Sequence, residues 1–216
     1  MLSKPRDVLL FILASPSGAG KTTLTRLLLE RNPELQFSVS HTTRSARLGE
    51  VDGTDYHFVS RAHFERLVQE NAFLESARVH DSYYGTALSE IWRAERTPGC
   101  TALIFDIDVQ GARQIRAKRP DIVAAFILPP SMTELERRLR ERGTETEESV
   151  LRRFGAARRE IEHYGLFDYL VVNDNLERAF HELESVMVAE RARRTRRAVL
   201  AEALLQNGPR SGPEEQ

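Results

Sequence analysis

The residues with the clearest chemical signature form the segment SPSGAGKTT, residues 15–23. This segment fits the phosphate-binding loop pattern G-x-x-x-x-G-K-[ST], except that Ser15 stands at the position of the first glycine. A residue before proline favours extended conformations, so a serine before Pro16 needs no unusual backbone angle. The unusual angles, and the close approach of a phosphate, are expected at Gly18 and Gly20.

The segments on either side of this loop have the pattern that a phosphate site requires. Residues 8–14 form a continuous apolar run typical of a buried parallel strand, and leucines at helical spacing follow Lys21. Backbone N–H groups of residues 17–22 are therefore expected to bind phosphate oxygens at a helix N-terminus. Lys21 would reach the β- and γ-phosphates, and the Thr22 hydroxyl would bind Mg²⁺.

Apolar runs of strand length recur and alternate with helical patterns. They are TALIFD (101–106), VAAFIL (123–128) and YLVVN (169–173). This alternation predicts an α/β fold with a parallel sheet, and the last helical stretch is expected from Leu176 to about Leu205. The first run ends in Asp106, where such sheets carry an acid that holds or orients Mg²⁺. An aspartate at the end of a strand is also a common helix cap.

The region 37–90 has more alternating, polar patterns, which predict a small and more antiparallel insertion. It contains Arg44 and Arg47, whose guanidinium groups could bind a phosphate bidentately. The alternative is a solvated loop in which these arginines form surface ion pairs with Glu50 or Asp52.

A carboxylate in the same region could recognise a nucleobase. FLESARVHDSYYGT (73–86) places Glu75, Tyr84 and Thr86 around a strand and a turn. A carboxylate can accept both N1–H and N2–H₂ of a guanine edge, and adenine lacks this pair of donors. The alternative for Glu75 is an outward charge on a strand.

Composition and charge limit the function classes. The chain has 216 residues, 41% hydrophobic and 29% charged, with a net charge of −1, which is typical of one globular domain. This charge gives no reason to expect a membrane or nucleic-acid partner, although the arginines in residues 189–205 leave binding to nucleic acid or to an acidic partner as an alternative. Cys100 is the only cysteine, so no internal disulfide can form. No apolar stretch reaches about 18 residues, so we expect a cytoplasmic location.

Several long segments together resemble bacterial guanylate kinases, from residue 7 to about residue 200. They are SPSGAGKTTL, SVSHTTRSARLGEVDGTDYHFVS, FLESARVHDSYYGT, FDIDVQGARQIR, RLRERGTETEESVLRR and DYLVVND, in the family's order and spacing. The resemblance implies the reaction ATP + GMP ⇌ ADP + GDP with Mg²⁺, with dGMP as a related acceptor. This chain departs from the family at Ser15, at His41, where serine is common, and at Thr86, where some members have serine.

The resemblance also implies the architecture: a P-loop NTPase-type parallel sheet core flanked by helices, an inserted mixed α+β region that binds the nucleoside monophosphate, and a small helical lid. The expected core comprises residues 1–36, 91–140 and 156–206. The insertion is expected at 37–90, the lid at 141–155 and a disordered tail at 207–216. Assembly into a homo-oligomer stays open.

The resemblance assigns roles to individual residues. ATP binding falls to Ser15, Pro16, Ser17, Gly18, Ala19, Gly20, Lys21, Thr22 and Thr23, and the metal to Thr22 and Asp106. The guanine end of GMP falls to Ser40, Glu75, Thr86 and Asp108, and its phosphate to Arg44, Arg47, Tyr56 and Tyr84. Lys21 and Arg44 act in catalysis, together with the arginines that close over the transferring group, Arg138, Arg142 and Arg153.

Two other functions stay open at this point. Guanylate-kinase-like domains also serve as protein-interaction modules, although the loop glycines and Lys21 are intact here. A kinase of another monophosphate could share the same core. A panel of acceptor nucleotides separates these alternatives.

Overall fold

The computed structural model describes residues 8–79, 81–141 and 146–207. Within these residues the strands are β1 (Leu9–Ala14), β2 (Leu35–Phe37), β3 (His41–Thr42), β4 (His57–Phe58), β5 (Phe73–Val79), β6 (Ser82–Ala87), β7 (Ala102–Asp106), β8 (Val123–Leu128) and β9 (Tyr169–Val172). The helices are α1 (Lys21–Arg31), α2 (Arg61–Gln69), α3 (Ser89–Arg96), α4 (Val109–Lys118), α5 (Met132–Glu141), α6 (Glu147–Ile161), α7 (Leu176–Ala192) and α8 (Arg194–Asn207).

Five strands form a parallel sheet in the order β2-β7-β1-β8-β9, which confirms the predicted α/β core. β1 lies in the middle and is buried along its whole length, because helices cover both faces of the sheet. On one face, Phe11 packs with Leu28 of α1 and Phe180 of α7. On the other face, Ile12 packs with Ile115 of α4.

Two element boundaries differ from the sequence-based expectation. The insertion is expected to begin at residue 37, but β2 extends to Phe37 and pairs with β7 in the core sheet. The last helical stretch is expected to be continuous, but it breaks at Arg193, whose ψ of 138° lies outside the helical region. Arg193 pairs with the buried Glu190 carboxylate, and neither glycine nor proline marks this break in the sequence. Within the described ranges, every helix is too short or too polar to cross a membrane.

The insertion forms a second, mixed sheet in the order β4-β3-β6-β5. β6 pairs antiparallel with both β3 and β5, and β4 pairs in parallel with β3. Helix α2 covers one face, where the Phe64 ring stacks on the Phe73 ring at 4.7 Å between centroids. On the face of this sheet opposite α2, the side chains of Ser40, Glu75 and Thr86 lie together.

A β-bulge at Leu74 determines which face Glu75 occupies. Phe73 and Glu75 pair with consecutive residues of β6, so Leu74 is an extra residue in β5. Residues two apart on a strand normally share a face, and the extra residue reverses this alternation. Phe73 therefore packs beneath the sheet, and Glu75 lies beside Thr86 on the polar face.

Candidate active site

The loop after β1 has the backbone geometry expected of a phosphate site. Gly18 and Gly20 have φ of +93° and +94°, in the left-handed region that strains other residues. A Cβ on Gly20 would lie 2.3 Å from Nδ2 of Asn173, which donates a 2.8 Å hydrogen bond to the carbonyl oxygen of Ala19. Glycine is therefore required at position 20 both by conformation and by space.

The residues at the two ends of the loop connect it to β1 and α1. The Ser15 hydroxyl donates to the carbonyl oxygen of Pro16 at 3.0 Å, and Pro16 is buried. Thr22 and Thr23 are exposed in the first turn of α1, which begins at Lys21. The free N–H groups of this helix end and its positive dipole end are thus available to an anion.

Lys21 pairs with Asp106, the residue that ends β7. Its Nζ donates to the Asp106 carboxylate and to the carbonyl oxygen of Ile107, the latter at 3.3 Å. The Asp106 carboxylate and the Thr22 hydroxyl are oxygen donors, which fit Mg²⁺. No group of three His, Cys, Asp or Glu in the described ranges could hold a metal. Two oxygen donors from the protein fit a Mg²⁺ ion whose other ligands are phosphate oxygens and water, its usual mode of binding.

Side chains from α5 and α6 reach the loop. Arg153 donates from Nη2 to the Ser17 hydroxyl at 2.7 Å, and the Ser17 N–H donates to Glu160 Oε2 at 3.2 Å. Burial raises the pKa of the Glu160 carboxyl. Arg138 donates to the carbonyl oxygen of Asn173 at 3.0 Å. Of the predicted arginines, Arg153 thus contacts the loop itself. Arg138 contacts Asn173, which is hydrogen-bonded to the loop.

A carboxylate and two hydroxyls converge on the polar face of the insertion. The Thr86 hydroxyl donates to Glu75 Oε1 at 2.7 Å and lies 3.4 Å from the Ser40 hydroxyl. Glu75 is only 6% exposed, so it is not an outward strand charge. Burial raises the pKa of the Glu75 carboxyl, and the hydrogen bond from Thr86 opposes this effect.

Arg44 lies among aromatic rings further along the same sheet. It forms two 2.8 Å hydrogen bonds with Glu50 and lies 5.4 Å and 5.7 Å from the ring centroids of Tyr56 and Phe58. The Tyr56 ring contacts the Tyr84 ring at 6.0 Å. The ion pair with Glu50 is thus present, but both side chains are mostly covered, at 17% and 20% exposure.

Arg47 and Asp108 are more exposed than their predicted neighbours. Arg47 contacts Glu50 through its backbone N–H at 2.7 Å. Asp108 caps α4 by accepting the Gly111 N–H at 2.7 Å. Asp108 also lies close enough to contribute to the raised pKa of Glu75. It borders a cavity of about 590 Å³ between α4 and α6, so its carboxylate is accessible to a ligand.

His41, a departure from the family, faces away from this cluster. Although it follows Ser40 in sequence, strand alternation places its ring on the opposite face of the sheet. The ring lies 4.6 Å from that of His57 and 5.6 Å from that of Phe73. His41 thus belongs to the packing of the insertion with α2.

Sequence reasoning missed two residues that contact the loop. Glu160 and Asn173 reach it from 143 and 154 residues away along the chain. Neither stands in a spacing that indicates a phosphate site, although Asn173 lies in the family-like segment DYLVVND. The predicted Arg142 lies outside the described residues.

Comparisons with known proteins point to one family. The family model described as "Guanylate kinase" matches residues 8–190. The guanylate kinase of Syntrophotalea carbinolica is 50% identical over 191 residues, covering 88% of this chain and 90% of that protein. The one from Myxococcus xanthus is 51% identical over 189 residues, covering 87% and 90%. The crystal structure of guanylate kinase from Anaplasma phagocytophilum has a TM-score of 0.74 at 32% identity, covering 96% and 98%.

Proposed function

We propose a role for each described site residue of this chain, which belongs to the guanylate kinase family and is an ATP:GMP phosphotransferase. It transfers the γ-phosphoryl group of ATP to GMP and releases ADP and GDP. The observation that carries the residue assignment is the buried carboxylate of Glu75, held beside hydroxyls on the insertion. A buried carboxylate is costly unless it meets hydrogen-bond donors, and guanine supplies them.

Glu75 accepts the N1–H and N2–H₂ donors of guanine, and the hydroxyls of Ser40 and Thr86 contact the same base. Asp108 approaches from the N-terminus of α4 and can accept from the remaining guanine donor. With adenine the carboxylate stays unpaired, and sites built on such pairing reject the wrong substrate by about 10⁴-fold. The same residues accept dGMP, because they address the base.

The phosphate of GMP binds to Arg44, Arg47, Tyr56 and Tyr84. Glu50 holds the Arg44 guanidinium in one orientation through two hydrogen bonds. The tyrosine rings beside Arg44 limit its motion and supply hydroxyl donors. Arg44 is thus preorganised for the acceptor phosphate, and the exposed Arg47 completes the contact.

ATP binds with its phosphates in the loop from Ser15 to Thr23, with Lys21 on the β- and γ-phosphates. Thr22 and Asp106 hold Mg²⁺, which when bound neutralises phosphate charge. The contact between Lys21 and Asp106 keeps the lysine at the mouth of the loop. Lys21 would thus supply positive charge beside the γ-phosphate, and Mg²⁺ held by Thr22 and Asp106 would add to it.

The reaction needs no catalytic base from the chain. The second pKa of a phosphate monoester is about 6, so the acceptor oxygen of GMP is already anionic at neutral pH. The remaining requirement is to bring two polyanions into line, which positively charged groups achieve by neutralisation and positioning. Arg138 and Arg153 supply this charge beside the loop, and Arg142 completes the set in the resemblance-based assignment.

The division into core, insertion and lid is part of the proposal. The insertion carries the GMP contacts, and the core carries the phosphate loop. Helix α6 runs without a break through residue 155, so it links the lid to the residues that contact Ser17. Movement of the lid would therefore shift Arg153 relative to the loop.

A coupled ADP-release assay with Mg-ATP and GMP, dGMP, AMP, CMP and UMP tests the function. We expect turnover with GMP far above that with AMP, and Glu75→Gln should remove most of this preference. Glu65→Gln is the matched control, because Glu65 is an exposed carboxylate on α2. Unchanged kcat/KM for GMP and AMP in Glu75→Gln would refute the assignment. ATP binding without turnover of any acceptor would favour an interaction module instead.

A further inference from the structure

The strand that carries Glu75 is an edge strand supported by a helix. β5 pairs with β6 on one side, and no other described strand pairs with its open side. The open side contacts Gln114 and Lys118 of α4, and Gly111 of the same helix faces the Glu75 carboxylate. These residues are spaced i, i+3 and i+7, so they share one face of the helix.

Gln114 takes the place of a neighbouring strand at Ser76. The Ser76 N–H donates to Gln114 Oε1 at 3.2 Å, and Gln114 Nε2 donates to the Ser76 carbonyl oxygen at 3.2 Å. A side-chain amide carries the same donor and acceptor as a peptide group. Gln114 thus satisfies both backbone groups of the residue that follows Glu75.

Two further residues of α4, one on each side of Gln114, also contact β5 near Glu75. Lys118 donates from Nζ to the carbonyl oxygen of Phe73 at 3.0 Å, just before the bulge. A Cβ on Gly111 would lie 3.4 Å from Glu75 Oε2, so the helix backbone runs close to the carboxylate. Helix α4 therefore contacts β5 before, at and after Glu75, and Asp108 caps the N-terminus of the same helix.

We propose that Gln114 is a positioning residue for guanine recognition, because its two hydrogen bonds to Ser76 set the distance between the Glu75 carboxylate and Asp108. This inference rests on the proposed function. Gln114 itself does not contact the substrate in this arrangement. Loss of the Gln114 amide removes both hydrogen bonds that hold the outer edge of β5. The carboxylates of Glu75 and Asp108 then lie at the wrong distance to accept from the N–H donors of one guanine edge.

The test compares Gln114→Met with Gln69→Met, a matched change at an exposed glutamine of α2. Methionine keeps the length of the side chain and removes both hydrogen bonds. We expect the KM for GMP to rise about 10-fold, the equivalent of two ordinary hydrogen bonds. The KM for ATP and kcat should stay within about twofold, since the phosphate loop is untouched. The Gln69→Met variant should have the same KM for GMP, KM for ATP and kcat as the unchanged chain.

A double-mutant cycle with Glu75→Gln tests whether Gln114 acts through Glu75. If it does, Gln114→Met should change the KM for GMP by less than about twofold in the Glu75→Gln background. Lys118→Met is a second variant on the same strand edge that leaves Ser76 untouched. It should raise the KM for GMP by about threefold, which keeps the test decisive if Gln114→Met fails to fold.

The outcomes separate this inference from the proposed function. If the unchanged chain phosphorylates GMP and both variants keep its KM for GMP, the positioning role is wrong while the function stands. Equal increases in the KM for GMP and for ATP, or additive effects in the cycle, would also overturn it by indicating general loosening. If the unchanged chain does not phosphorylate GMP, both conclusions fail.

Discussion

Two cationic side chains at the site have a carboxylate partner within the protein. Lys21 is paired with Asp106, and Arg44 with Glu50. The hydrogen bonds from Arg44 lower the pKa of Glu50 to about 2, with a further contribution from the Arg47 backbone N–H. Such pairing matters because a partly buried charge without a partner is costly. Phosphate binding therefore competes with existing carboxylate contacts rather than meeting bare charges.

Replacement of Lys21 tests the phosphate loop. Lys21→Met should lower kcat/KM by about 10²- to 10³-fold, because a cation beside the transferring charge is lost. The fold should persist, since Asp106 can still reach water at 20% exposure. Arg26→Met, on the exposed side of α1, is the control. The ADP-release assay and a circular dichroism melt measure both effects, and near-normal kcat would contradict the loop assignment.

His41, a half-buried histidine of the insertion, should make stability depend on pH. Burial lowers the pKa of His41 to about 4, and His57 adds to the effect while Glu90 opposes it; His63 and Asp52 act more weakly in opposite directions. The folded state thus favours the neutral ring, whereas the unfolded chain takes up the proton near pH 6.5. Stability is complete above that pH and falls as the pH drops towards 4, by about 2–3 kcal/mol at most.

His41→Phe should remove this contribution to the pH dependence. Urea unfolding at pH 7, 5.5 and 4 should show a smaller loss of stability for the variant than for the unchanged chain. His181→Phe is the control, because the His181 side chain is 66% exposed on α7. Equal losses in His41→Phe and the unchanged chain would show that other groups cause the acid sensitivity.

Among the secondary-structure elements, α6 brings two charged side chains to the phosphate loop. Its half-buried Glu160 accepts the Ser17 N–H, so a carboxylate occupies a loop donor that a phosphate could use. Arg153 of the same helix donates to the hydroxyl of this serine at 2.7 Å. Helix α6 thus places the negative charge of Glu160 and the positive charge of Arg153 beside the loop. We expect the first to weaken ATP binding and the second to strengthen it.

Removal of the Glu160 charge tests this balance. Glu160→Gln should tighten ATP binding roughly fivefold, because like charges placed together weaken binding. Glu162→Gln, an exposed neighbour on the chain, should leave the affinity unchanged. Isothermal titration with Mg-ATP measures both. Weaker binding by Glu160→Gln would instead mean that the carboxylate holds the loop in its binding shape.

For the molecule as a whole, the catalytic parts are separate from the C-terminal helix. Exposed apolar residues of α8 lie outside the buried clusters of the described chain: Val199, Leu200, Leu204 and Leu205. Two arginines of the basic run that precedes them, Arg191 and Arg197, form hydrogen bonds within the protein. Arg191 donates to the Thr101 hydroxyl at 2.7 Å, and Arg197 donates to the Arg191 carbonyl oxygen at 3.2 Å.

A chain that ends after Arg197 should therefore keep its activity. We expect unchanged kcat and a thermal midpoint within about 2 °C, because few buried contacts are removed. Calorimetry and the GMP assay measure the two quantities. A large fall in the midpoint would show that the end of α8 stabilises the fold through contacts of its apolar side chains.

Much of the fold and part of the site could be predicted from local sequence. The apolar runs indicated the parallel sheet, and the loop glycines indicated positive φ at positions 18 and 20, as the structure has them. The expected continuous helix after Leu176 was wrong, because the backbone leaves the helical region at Arg193, where neither glycine nor proline marks a break in the sequence. The roles of the site residues stay predictions.

Local preferences of the chain by themselves determined the strand–loop–helix unit at the phosphate site, since backbone angles depend on neighbouring residues. Only the tertiary structure decided the face on which Glu75 lies, because a single extra residue, Leu74, reverses the alternation of β5. It also brought Glu160 and Asn173 to the loop and Gln114 to the edge of β5. These contacts join distant parts of the chain, and their energies depend on how sheets and helices pack rather than on any short pattern.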